Sequence, residues 1–182
     1  MNLLIKEQFE KYYQSKGNWR EYIERCSANS FLLESVVNFA TGNNLKYQLV
    51  GGKENWPSME WIFQYDTIRK SEFIVRHRSI LLVSKIAPFY HLYHEFEVEN
   101  KDDSAIEPVL DGFSCQPYIR IEQDLNDVVE TSYKEYGYTS LNYSEMNEVV
   151  CGELFKKQPD IFGSQVTVEI LFFHDFLELC KD

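Results

Sequence analysis

Residues 89–99 read FYHLYHEFEVE. Two histidines three positions apart, with a glutamate behind them, pose a choice. On a helix, His91 and His94 would share a face and could hold a metal ion. On a strand they would point to opposite sides of a sheet. The period decides. Tyr90, Leu92, His94, Phe96 and Val98 alternate with His91, Tyr93, Glu95, Glu97 and Glu99, the period of two that marks a half-buried strand. His91 and Glu95 then share a face but stand ~13 Å apart at ~3.3 Å per residue. The stretch predicts a strand with an acidic outer face. His94 is expected on the core side as a hydrogen-bonded histidine rather than a catalytic base.

The neighbouring segments extend the same pattern. MEWIFQYD places Met59, Trp61, Phe63 and Tyr65 on one face. EFIVRHR and SILLVSKI follow as two strands or one long bent one, and Pro88 separates them from 89–99. KYQLV reads as a short strand ending at Gly51-Gly52, with the KENWPS loop after it. Closely spaced strands with short joins predict an antiparallel meander. Residues 100–117, NKDDSAIEPVLDGFSCQP, have the acids, prolines and glycine of a long loop.

Helices flank this body. Leu4, Ile5, Gln8, Phe9, Tyr12 and Tyr13 recur at helical spacing, with Gly17 and Asn18 as the break. Trp19, Tyr22, Ile23 and Cys26 fall on one side of a second short helix. A third is expected after an N-cap at Asn29 or Ser30, with Leu32, Leu33, Val36, Val37 and Ala40 buried and Gly42 as the stop. Farther on, PYIRIEQ reads as a strand. DLNDVVETSYKEYG reads as a helix capped by Asp124, lined by Leu125, Val128, Val129, Ser132 and Tyr133, and stopped by Gly137. YSEMNEVVCGELF reads as a helix capped by Ser144, and QVTVEILFF as a strand. The fold class is therefore α+β: N-terminal helices packed on a mainly antiparallel sheet, with further helices in the C-terminal half. One domain over residues 1–182 is expected, helical over 1–44 and sheet-containing over 45–182.

Composition bounds the function. Of 182 residues, 44% are hydrophobic and 15% aromatic, enough for a sizeable core. The N-terminus MNLLIKEQFE lacks a signal-peptide pattern, and no apolar run approaches the ~18 residues that span a bilayer. The cytoplasm is the expected compartment. Cys26, Cys115, Cys151 and Cys180 form no CxxC pair and are expected as reduced thiols, although a disulfide between distant cysteines stays open. The net charge of −11 is concentrated. Residues 1–90 carry +3, residues 91–150 carry −11 and residues 151–182 carry −3. Such a middle third repels phosphate backbones and anionic lipid, so nucleic acid and membrane are not expected as partners. It suits a basic protein.

Few motifs carry chemistry. The His174-Asp175 pair has no nucleophile elbow to serve, and a triad with Cys115 has nothing in the spacing to support it. Gly51-Gly52-Lys53 lacks both phosphate-loop patterns. The acids after 99 lack the EF-hand spacing. No catalytic residue, metal or cofactor is expected. Glu95, Glu97 and Glu99 on one strand face repel one another, and Arg69, Lys70, Arg76 and Arg78 could relieve them internally, as could a basic partner. The expected binding residues are Glu95, Glu97, Glu99, Asp102 and Asp103, with Tyr136 and Tyr138 as aromatic anchors.

Being small, acidic, aromatic-rich and without catalytic motifs, the chain resembles bacterial immunity proteins in composition. That resemblance implies a cytosolic protein that neutralises a toxin by covering it. Two other readings stand beside a non-enzymatic binding protein. One is a small-molecule or enzyme pocket near His94 and His174; the other is a structural or assembly subunit using its sheet edges.

Overall fold

The computed structural model describes residues 3–14, 18–28, 32–52, 55–102, 104, 109–150 and 166–180. The expected stop at Gly17, residues Asn29 and Ser30, the acids Asp103 and Glu107, and residues 151–165 lie outside them. The third helix does not start from a cap at Asn29 or Ser30 but at Glu34, with Leu33 in the cap position.

The chain opens with α1 (Leu3–Phe9), which widens into a π-helical turn over Glu10–Gln14, then α2 (Trp19–Ser27) and α3 (Glu34–Gly42). Strands β1 (Lys46–Gly51), β2 (Ser58–Gln64), β3 (Ile68–Lys70), β4 (Phe73–Ser84), β5 (Phe89–Asn100) and β6 (Val109–Ser114) follow. The rest is α4 (Arg120–Glu135), β7 (Thr139–Ser140), α5 (Tyr143–Met146), β8 (Val149–Val150), β9 (Val166–Thr167) and α6 (Val168–Phe173). This is the α+β class, with a mostly antiparallel sheet. Strands run in the order β1-β2-β4-β5-β6, β3 pairs with the start of β4, and β7 pairs parallel with the start of β5. The spine is the β4–β5 hairpin, in register from Phe73↔Asn100 to Val83↔Tyr90. Gly52 has φ +73, and a Cβ there would stand 1.7 Å from the Ser58 carbonyl oxygen, so only glycine fits where β1 gives way to the next loop.

Each face of the sheet has its own core. On the first, α3 and α4 cover Phe63, Leu81, Tyr90 and Leu92 with Val36, Ala40, Leu125 and Val129. On the second, α1, α2, α5 and α6 cover one end of the sheet, where Ile5, Phe9, Tyr22, Phe89, Leu171 and Phe172 are buried together. Ser58 and Ser84, opposed in register on β2 and β4, pin α6 there. Their hydroxyls donate to the Phe173 and Phe172 carbonyls at 2.7 and 2.8 Å, satisfying acceptors that a helix end leaves open. Beyond α6 no element among the described residues covers the second face.

Four local expectations are corrected. Residues 109–114 are not loop but β6, paired from Glu99↔Val109 to His94↔Ser114. Gly112 looks like a turn signal, yet it is glycine because a Cβ would lie 2.8 Å from the Phe96 ring. PYIRIEQ is not a strand: α4 begins at Arg120, four residues before Asp124, and Glu122 rather than Asp124 serves its start. The helix after Asn142 lasts only through Met146, capped by Asn142 rather than Ser144, and Val149–Val150 is extended. QVTVEILFF is a strand only at Val166–Thr167. Thr167 then caps α6, accepting from the Ile170 amide at 3.4 Å. The short strand β3 carries no alternation long enough to announce it.

Candidate functional site

His94 lies on the first face and is fully buried. Its ring is spoken for on both sides. Tyr65 Oη and Ser79 Oγ are 2.6 Å apart, Ser79 Oγ and His94 Nδ1 2.7 Å, and His94 Nε2 and Asn126 Oδ1 3.2 Å. The Asn126 carbonyl accepts, so Nε2 donates, and in the neutral ring Nδ1 accepts from the Ser79 hydroxyl. This is a buried histidine held in a hydrogen-bonded chain, as expected from the strand pattern. Burial holds its pKa below the ordinary value, against the pull of nearby Glu122. Beside it, Glu122 Oε1 stands 3.4 Å from His77 Nδ1, and both residues are buried.

His91 points to the second face, where its Nδ1–H donates to the Leu141 carbonyl at 2.7 Å. Burial lowers its pKa as well. His174 follows α6 on that side and pairs with Glu169 at 3.7 Å. His94 and His174 therefore sit on opposite faces of the sheet and do not converge. Among the described residues no group of three His, Cys, Asp or Glu has an arrangement that could hold a metal.

The two buried histidines give a pH dependence with a definite sign. Their folded pKa values lie below the unfolded value of about 6.5, so in that range the unfolded chain binds more protons. Stability therefore falls as pH drops below about 6.5. A urea midpoint measured from pH 8 to pH 5 is expected to hold between 8 and 7 and to decline toward 5.

The open half of the second face has a different character. Across β2, β4, β5 and β6 the register lines up Gln64, Arg78, Glu95 and Phe113 in one row. Arg76, Glu97 and Asp111 form the next row. These side chains line a groove of about 530 Å³. Arg76 bridges two strand neighbours, with Nη1 at 2.6 Å from Glu97 and Nη2 at 2.6 Å from Glu99, and Arg78 pairs with Glu95. The Arg76 hydrogen bond holds the Glu99 carboxyl below its usual range. Internal pairing thus neutralises part of the acidic face. It leaves a surplus, because Asp111 faces Glu97 in register and has no ion pair among the described residues. Like charges directly opposite are unfavourable.

The Phe113 ring lines this groove, and Tyr143 packs beside Phe113. Phe113 is 58% exposed and Tyr143 54% exposed, with ring centroids 5.6 Å apart. Both belong to elements placed there by the sheet: Phe113 by β6, Tyr143 by the capped first turn of α5. Sequence reading missed Phe113, since VLDGFS was read as loop. The only signal for it was the alternation Leu110, Gly112, Ser114 against Asp111, Phe113.

The remaining expected residues lie elsewhere. Asp102 is exposed at the end of β5, where the Ser104 hydroxyl and amide bond its carboxylate and lower its pKa. Asp103 is outside the described residues. Tyr136 is 69% exposed at the end of α4, on the first face. Tyr138 is half-buried and packs edge-on against Tyr133 at 5.5 Å. Tyr136 and Tyr138 line a small pit of about 120 Å³ with Trp61 and Leu33. The expected patch therefore divides: the glutamates join Phe113 and Tyr143 on one face, and the two tyrosines stand on the other.

Among the described residues no helix is long and apolar enough to cross a membrane. No protein-family model, curated protein or solved structure matches the chain.

Proposed function

We propose that the protein is a non-enzymatic binding domain that takes a basic protein partner into the groove of its second face. The observation that carries this reading is the make-up of the groove. Among its lining residues Glu95, Glu97 and Asp111 outnumber Arg76 and Arg78, the exposed Phe113 ring stands with them, and Tyr143 packs beside Phe113. A lysine or arginine of the partner placed between Asp111 and Glu97 relieves their repulsion, while Phe113 and Tyr143 supply the apolar anchor. In its more specific form the partner is a cationic toxin domain, such as a nuclease, met in the cytoplasm. Composition supports that form.

The test is capture from the native host's lysate at low and high salt, followed by association kinetics with the protein identified. Between about 50 and 500 mM salt the association rate is expected to fall at least ~10-fold. The Asp111→Lys variant is expected to associate more slowly and with weaker salt dependence. An association rate indifferent to salt and to Asp111→Lys would overturn the reading.

A further inference from the structure

Two cysteines 154 positions apart meet at the edge of the second-face core. Cys26 is on the last turn of α2 and is 1% exposed. Its carbonyl accepts from Lys85 Nζ at 3.0 Å. Cys180 is half-buried in the segment after α6 and packs on the same core. The Asp175 carboxylate gathers that segment. Oδ2 accepts from the Cys180 amide at 2.7 Å, and Oδ1 accepts from the Leu179 amide and from the Tyr22 hydroxyl, each at 3.2 Å. Tyr22 lies one turn before Cys26 on α2. One carboxylate thus ties the Cys180 backbone to the helix that carries Cys26, and the two side chains pack on the same core. Cys115 lies just past β6 and takes no part in this core.

We propose that Cys26 and Cys180 are a disulfide-forming pair, a reversible covalent link between α2 and the C-terminal segment. The oxidant is a low-molecular-weight disulfide of the glutathione class. The Cys180 thiolate attacks one of its sulfurs and expels a thiolate. The Cys26 thiolate then attacks the Cys180 sulfur of the mixed disulfide and expels the second. Two thiols are oxidised, one disulfide is reduced to two thiols, and the two cysteine protons pass to the leaving thiolates. Burial pushes both thiols up from their ordinary range. Exchange is therefore slow near neutrality, and its rate rises about 10-fold per pH unit. The bond closes a loop containing most of the chain, the case in which a crosslink restricts the unfolded state most.

The test uses the full chain, reduced, desalted and equilibrated at pH 8 in glutathione buffers of stepped ratio, then alkylated and mapped without reduction. Before alkylation the expected product is about 2 Da lighter than the reduced chain. On alkylation it takes up two groups rather than four, and mapping shows a linked peptide joining Cys26 to Cys180. Its Tm is expected on the order of 10 °C above that of the reduced protein. Because replacing buried Cys26 could harm folding, the control is Cys180→Ser, which should keep the reduced Tm and lose both the linked peptide and the rise. A glutathione adduct on Cys180 with no 26–180 peptide would overturn the proposal. So would a linked peptide that forms only in denaturant.

Discussion

Replacing Phe172 by alanine is expected to destabilise the protein by about 3–5 kcal/mol, as for other fully buried aromatic truncations. Phe172 is 0% exposed on α6 and meets Phe89 edge-on at 5.1 Å between ring centroids. Phe89 begins β5, so the contact ties the last helix to the sheet's spine. The same core takes in Ile5 and Phe9 of α1 and Tyr22 of α2. A void there loosens elements from both ends of the chain at once. With about 2–4 °C per kcal/mol for a chain of this size, Tm should drop by roughly 6–20 °C. Phe172→Leu, which keeps most of the volume, should cost about half as much or less. Thermal unfolding of both variants checks the order.

Glu122→Ala is expected to cost about 2–4 kcal/mol, although the residue is a single carboxylate on a helix. Glu122 is 0% exposed. Its Oε2 accepts from the Tyr118 amide at 2.6 Å and from the Ile119 amide at 3.1 Å. Alanine leaves two backbone donors at the start of α4 without an acceptor and removes the oxygen facing His77. Glu122→Gln keeps an oxygen for the amides and presents an N–H to His77 Nδ1. It should cost about 1 kcal/mol. Urea unfolding gives the two magnitudes. Hydrogen exchange should show faster amides at Tyr118 and Ile119 in the alanine variant alone.

What the sequence made legible follows the length and regularity of each pattern. The alternation over 89–99 is long, and it placed His94 in the core and the three glutamates on the other face. The arginines of β4 were readable as their partners for the same reason. Short elements were misread where tertiary packing overruled local signals. VLDGFS has a loop's composition, but Gly112 makes room for Phe96 rather than a turn. VEILFF has a strand's composition, yet burial on nearly all sides and the Thr167 cap make it a helix. In such a six-residue apolar run, periodicity cannot separate the two. Glu122 was hidden because its role depends on where α4 begins. The contact of Phe113 with Tyr143, and the packing of Cys26 and Cys180 on one core, need the three-dimensional path of the chain. Neither has a counterpart in spacing.

The most direct measurement of the proposed binding role is a parallel capture from the native host's lysate with three forms of the protein: wild type, Phe113→Ala/Tyr143→Ala, and Tyr136→Ala. All three altered residues are exposed, so the fold should survive. The expected result is one basic protein retained at low salt by wild type and by Tyr136→Ala, and lost from the groove double variant. Retention by the double variant equal to that of wild type would contradict docking in the groove.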